Sequence, residues 1–116
     1  MNAAPWLATL TALSRHRGVL GTLLVSERDG LAVESMVQIG VNAETVAALA
    51  ASLHRKARLA SAAAGYGGVH FVRLDAERGH VLAAGRDDLL FVVISESRAN
   101  TGLLRVELIR AAAGLA

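Results

Sequence analysis

The chain has 116 residues, 53% of them hydrophobic, which suits one domain with a buried core and excludes a disordered polypeptide. It contains no cysteine, so a disulfide framework, a thiolate metal site and a cysteine nucleophile are all excluded. Eleven arginines and one lysine stand against ten acids, and the resulting net charge of +2, with only 3% aromatic residues, argues against nucleic-acid binding.

Pro5 suits the first turn of a helix in which Trp6, Leu10 and Leu13 recur at helical spacing, and Gly18 is placed to end it in a left-handed conformation. Thr9 and Thr11 interrupt the apolar residues there, no basic stretch precedes them, and no apolar run approaches the ~18 residues of a membrane span. Neither a targeting segment nor membrane insertion is expected, and the expected location is cytoplasmic. The segment GVLGTLLVSERDGLAVES, Gly18 to Ser35, then predicts a strand, a polar turn and a second strand. Val19, Gly21, Leu23 and Val25 project to one face of the first strand and Leu20, Thr22 and Leu24 to the other, so both faces need cover. Glu27, Arg28, Asp29 and Gly30 make the reversal, Gly30 accepting a positive φ, and Leu31 to Val37 returns as the partner.

Asn42 is placed to cap a long helix running from Ala43 to about Ala64, where Gly65 stops it. Tyr66 to Asp75, His80 to Gly85 and Leu89 to Ser95 read as strands joined by compact turns at Asp75 to Gly79 and Arg86 to Asp88. The unbroken apolar run Leu89 to Ile94 marks a strand buried on both faces and interior to its sheet. His70 and Arg73, set among apolar residues, make the Tyr66 to Asp75 strand an edge that invites another chain. Asn100 or Thr101 caps a last helix whose Leu104, Leu108 and Ala111 share a face. The order helix-strand-strand-helix-strand-strand-strand-helix predicts an α/β fold: a three-layer α/β/α sandwich around a five-stranded, mostly antiparallel sheet, formed by residues 1–116 as a single domain. The long helix covers one sheet face and both terminal helices the other.

At 100° per residue, Val46, Leu49, Ala50, Leu53, Ala57, Ala60 and Ala64 form one stripe of the long helix, the face expected on the sheet. The opposite side carries Ala48, Ala51, Leu59 and Ala62 among Ser52, Arg55 and Arg58. Such a mixture of small, apolar and arginine side chains fits a second helix better than water, most economically the same helix of a twin subunit. With Val69, Phe71 and Arg73 of the edge strand, these residues make the expected dimer and partner interface.

No enzyme chemistry emerges from the same residues. Gly65-Tyr66-Gly67-Gly68 precedes a strand and lacks the Lys-Ser/Thr pair of a phosphate loop, so it reads as a helix stop. His70 and His80 fall too far apart across their hairpin to share an ion, and His16 and His54, on different helices, are expected to be solvated. Asp87 and Asp88 read as turn residues without a perturbing partner, and no nucleophile-elbow pattern accompanies the serines. Catalytic residues, cofactors and metals are not expected.

The ordered set GVLGTLLVSERDGLAVES, YGGVHFVRLD, GHVLAAGRDDLLFVVIS and NTGLLRVELIRAA, with a long helix after the first segment, resembles the Roadblock/dynein light-chain family and within it the bacterial MglB-like proteins. The resemblance spans nearly the whole chain and implies a profilin-like fold. It also implies a homodimer whose edge strands join into one sheet, whose long helices pair, and whose paired helices engage a Ras-like small GTPase or a scaffold. The function it implies is non-enzymatic regulation of that GTPase. A scaffold dimer of the dynein light-chain type, insensitive to nucleotide state, and a small-ligand sensory module are the alternatives.

Overall fold

The computed structural model describes residues 4–115. Its elements follow the predicted order: α1 (Ala4–Ser14), β1 (Val19–Ser26), β2 (Leu31–Val37), α2 (Ala43–Ala63), β3 (Val72–Ala76), β4 (Gly79–Arg86), β5 (Leu89–Glu96) and α3 (Thr101–Ala113). The five strands form one sheet in the order β2-β1-β5-β4-β3, and all four pairings are antiparallel, so the expected "mostly antiparallel" sheet is wholly so. The apolar run 89–94 is the central strand β5, bonded to β1 on one side and β4 on the other.

Alternation along the inner strands separates two cores. Leu24, Leu82, Phe91 and Val93 face α1 and α3, meeting Leu10, Leu13, Leu104 and Leu108. Leu23, Val25, Ala83, Leu90 and Val92 face α2, meeting Ala47, Ala50 and Ala51. Alanine on both sides of the second core brings the α2 backbone close to the sheet, whereas the first is filled by larger side chains. Thr22, buried on the α1 side, donates its hydroxyl to the Leu10 carbonyl at 3.1 Å, so its polar atom is satisfied. On α3, Ala112 completes the buried stripe with Leu104 and Leu108, and Ala111 lies half-buried beside it.

The caps follow the sequence. The Asn42 side chain accepts from the Thr45 N–H at 3.0 Å, and that of Asn100 accepts from the Leu103 N–H at 3.0 Å. Gly30 adopts φ +69°, and its N–H reaches the Ser26 carbonyl at 2.8 Å, closing the β1–β2 reversal in a conformation glycine takes at little cost.

Two expectations need correction. The strand expected from Tyr66 begins only at Val72. Gly65 and Gly67 both adopt positive φ, the Tyr66 N–H returns to the Ser61 carbonyl at 2.9 Å, and the Ser61 hydroxyl donates to the Gly67 carbonyl at 2.7 Å. The chain leaving α2 therefore folds back on the helix end, and residues 66–71 join no ladder. His70 and Val69 lie before β3 as a result, and the following turn tightens to Glu77-Arg78.

The second correction concerns the phase of α2. Its buried residues are Ala47, Ala50, Ala51 and His54. Leu49, Ala60 and Ala64, expected on the sheet, are exposed, while Ala51, expected on the outer side, is 2% exposed against the sheet. Ala51→Arg is accordingly expected to destabilise the fold by about 3 kcal/mol or more, since it forces a long cation into a filled core. Urea unfolding that left the Ala51→Arg midpoint unchanged would contradict this placement.

Candidate functional site

The β1–β2 turn carries Glu27, which looks in sequence like an ordinary solvated turn residue yet is only 5% exposed. Its backbone N–H is held by the Asp88 carbonyl at 2.8 Å, which joins the turn to the β4–β5 reversal. Asp88 tightens the joint: its carboxylate accepts from the Ser26 hydroxyl at 2.9 Å and the Arg28 backbone N–H at 2.7 Å. Those hydrogen bonds, from Ser26 first and then Arg28, hold the Asp88 carboxyl below the ordinary aspartate value. Asp88 thus has the partners that the sequence did not reveal, and the neighbouring Asp87 takes φ 57° to make the reversal.

From this anchored turn the Glu27 side chain enters the layer beneath α2. One carboxylate oxygen meets His54 Nδ1 at 2.5 Å and the other meets Arg58 at 2.7 Å, while Arg55 donates to the Glu27 backbone carbonyl at 2.5 Å. His54 and Arg58 stand four apart, one above the other on α2, and a single carboxylate can therefore receive both. Burial by itself would raise the Glu27 carboxyl, but hydrogen bonds from Arg58 and His54, with their charges, outweigh it and hold the group below its ordinary value. His54, expected to be solvated, is buried, and its Nε2 has no hydrogen-bond partner among the described residues. Beside the cluster an open cleft of about 720 Å³ is lined by Glu27, Arg28, Arg55, Arg58, Asp87 and Asp88.

The Glu27 anchor explains the helix phase and divides the expected interface. Arg55 and Arg58 are engaged on the sheet side by Glu27, although Arg58 keeps 46% of its side chain exposed. Ala48, Leu59 and Ala62 are exposed on α2 and Ser52 is half-buried, while Ala51 belongs to the core. Leu49 and Leu59, at 44% and 56% exposure, are the large apolar side chains on this outer surface. Of the edge residues, Val69 is half-buried ahead of β3. Phe71 is tucked against the α3-side core with the Arg105 guanidinium 5.4 Å from its ring centre. Arg73 lies on β3 itself, paired with Asp75 at 2.7 Å. Sequence reasoning missed Glu27, His54 and Asp88; the signal available was a histidine and an arginine at i, i+4 on the helix that must pack over an acidic turn.

A family model, the Roadblock/LC7 domain, matches residues 7–95. An uncharacterized protein of Methanocaldococcus jannaschii is 32% identical over 103 residues, covering 89% of this chain and 86% of that protein. A second from the same organism is 30% identical over 103 residues, covering 89% and 90%. Among solved structures, Myxococcus xanthus MglB superposes with a TM-score of 0.84 at 16% identity, covering 97% of this chain and 93% of that one. A Roadblock/LC7 domain from Streptomyces avermitilis gives 0.81 at 20% identity, covering 93% and 92%. A structure described as MglB with tetrameric arrangement gives 0.82 at 20% identity, covering 99% and 90%. At these identities the likeness to the structures is one of fold.

A lowered carboxyl value carries a sign for stability. What Glu27 contributes is fully present above its unfolded value and is lost as pH falls through the lower folded value. Between neutrality and about pH 3, the urea midpoint is expected to fall further for the natural chain than for Glu27→Gln, which cannot titrate. Equal falls would contradict the role assigned to this carboxylate.

Proposed function

We propose that this chain, which belongs to the Roadblock/LC7 domain family, acts as a homodimer that offers its paired α2 helices to a Ras-like small GTPase and regulates it without contributing catalytic residues. The observation that carries the reading is the uncovered outer surface of α2. Leu49, Leu59, Ala48 and Ala62 are exposed together on a helix of 21 residues, and the sheet ends beside it at the open strand β3. Small residues permit close helix approach, and apolar anchors rimmed by arginine suit a protein interface. The class of partner comes from the family resemblance carried by the segments quoted above.

In this arrangement Arg55 and Arg58 stand at the rim, held by Glu27, with Ser52 and Leu59 nearer the centre. The GTPase supplies its own catalytic groups, and the dimer acts by favouring the conformation in which they stabilise the transferring phosphoryl group. Regulation of that kind requires different affinities for the two nucleotide states, since equal binding shifts no equilibrium. The scaffold alternative requires no such difference. The cleft beside Glu27 is open and lined by charged side chains, which does not favour the small-ligand alternative over a protein partner.

Light scattering on a size-exclusion column at tens of micromolar is expected to give the dimer mass, and a monomer there would remove the structural premise. Binding to a Ras-like GTPase of the same genome, loaded with GDP or with a non-hydrolysable GTP analogue, is expected to favour one form and to weaken at least about tenfold for Leu59→Asp. Equal affinities would point to the scaffold reading, and no binding to either form would overturn the GTPase reading for that partner.

A further inference from the structure

The charge of the chain is unevenly placed. Residues 4–17, which hold α1 and the turn after it, and residues 97–115, which hold α3 and the segment before it, carry Arg15, Arg17, Arg98, Arg105 and Arg110 against Glu107 alone, a balance of +4. The rest of the chain has seven basic residues against nine acids, a balance of −2. The positive charge of the protein therefore belongs to the helical layer on the sheet face away from α2. All five arginines are exposed. Arg110 meets Glu107 at 3.6 Å and Arg105 lies over the Phe71 ring, while Arg15, Arg17 and Arg98 have no side-chain partner among the described residues. Their mutual repulsion is unanswered there, and an anionic surface would answer it.

The same layer is apolar where a surface helix is ordinarily charged. The 11 residues of α1 include no ionisable side chain, and its outward positions include Leu7, Ala8 and Ala12, with Leu7 47% exposed. On α3, Leu103, Val106 and Arg110 follow at i, i+3 and i+7 as one outward stripe. The two helices run antiparallel. A Cβ at Gly18, after α1, would stand 3.0 Å from that of Ala99, before α3, and Ala8 and Ala12 line one hollow with Glu107 and Arg110. Leu7 thus belongs to the end that holds Arg110, and Leu103 to the end that holds Arg15. Apolar and cationic side chains alternate across the layer instead of gathering at one point.

That layout decides between occupants. A protein partner is normally held by a central cluster of apolar anchors with charge at the rim. An anionic bilayer suits the other arrangement, in which apolar side chains spread over a layer reach the acyl boundary while arginines beside them extend to the headgroups. From this distribution we propose that the layer of α1 and α3 is a peripheral docking surface for anionic lipid bilayers. Leu7, Leu103 and Val106 enter the interface, and Arg15 and Arg110 are among the arginines that meet lipid phosphates. The contact is peripheral, since a helix of 11 residues is too short to span. It uses the face opposite α2, so it stands or falls apart from the dimer and the GTPase.

Sedimentation of the full chain with sucrose-loaded vesicles reads the docking directly. Phosphatidylcholine vesicles with about 30% phosphatidylserine are expected to bind it at least about tenfold better than phosphatidylcholine alone. Raising salt from about 0.1 M to about 1 M, which cuts the Debye length from ~10 Å to ~3 Å, is expected to release most of it. Each arginine near such a surface is worth about fivefold, so Arg15→Glu/Arg110→Glu is expected to lower binding more than about tenfold. Lys56→Glu/Arg78→Glu makes the same change of net charge on exposed residues outside the layer and is expected to bind as the natural chain does. Leu7→Ser/Leu103→Ser, with every arginine kept, is expected to bind several-fold more weakly. Unchanged urea midpoints separate lost docking from lost fold, and where Arg15→Glu/Arg110→Glu is unstable, Arg15→Gln/Arg110→Gln reads the same contact. No sedimentation of the natural chain with anionic vesicles overturns the proposal, and so does an equal loss in Lys56→Glu/Arg78→Glu. Binding that is indifferent to Leu7→Ser/Leu103→Ser and abolished by poly-glutamate assigns the layer to an acidic protein segment and overturns the lipid reading.

Discussion

The inner strands β1, β5 and β4 are apolar on both faces, and a sheet of that kind needs two layers of helix to exclude water from it. The chain meets the demand unevenly. On one face α1 and α3 share the work, packing large leucines against Phe91 and Val93. On the other, α2 works alone, through Ala47, Ala50 and Ala51 with the half-buried Ala43 and Val46 beside them, and its remaining length displays Leu59 and further alanines away from the sheet. The sheet also ends at β3, which leaves a row of backbone groups unpaired along its outer side. A second copy, in the dimer proposed above, offers cover to the helix surface and to the strand edge alike.

The rotation of α2 about its axis decides which residues that surface contains. Alanines at 47, 48, 50 and 51 would suit two neighbouring helix phases almost equally, because alanine has little side chain with which to prefer one. The choice falls to Glu27. Once the turn is stitched to the β4–β5 reversal through Asp88, the Glu27 carboxylate can be satisfied only by presenting His54 and Arg58 to it, and this turns Ala51 inward and Leu49 outward. Breaking such a cluster is costly because it leaves partners buried and unpaired. The polar contact thus specifies a register between helix and sheet that apolar packing leaves degenerate.

The same degeneracy explains what could be read from the residues. Strand and helix identity came through where the pattern was strong: the apolar run 89–94 became the central strand, Asn42 and Asn100 became caps, and the DGL segment became the reversal into β2. The layer assignment followed from the order of elements. The start of β3 did not, because β-propensity in YGGVHFV says nothing of two left-handed glycines that fold the chain back onto the end of α2. The buried polar cluster was hidden for a different reason. Glu27 lies in a turn, where acidic residues ordinarily meet solvent, and its burial depends on a helix that arrives from residues 43–63 and on a second turn at Asp88. Only tertiary placement joins the three.

If a second copy covers the open side, the backbone amides of Arg73 and Asp75 exchange a solvent environment for a ladder, and hydrogen–deuterium exchange reads that change residue by residue. The account predicts slow exchange of these two amides at micromolar concentration, with protection lost on dilution or in Leu59→Asp while the amides of β5 remain protected. Fast exchange at Arg73 and Asp75 at every concentration, in a chain whose β5 amides are protected, would contradict it.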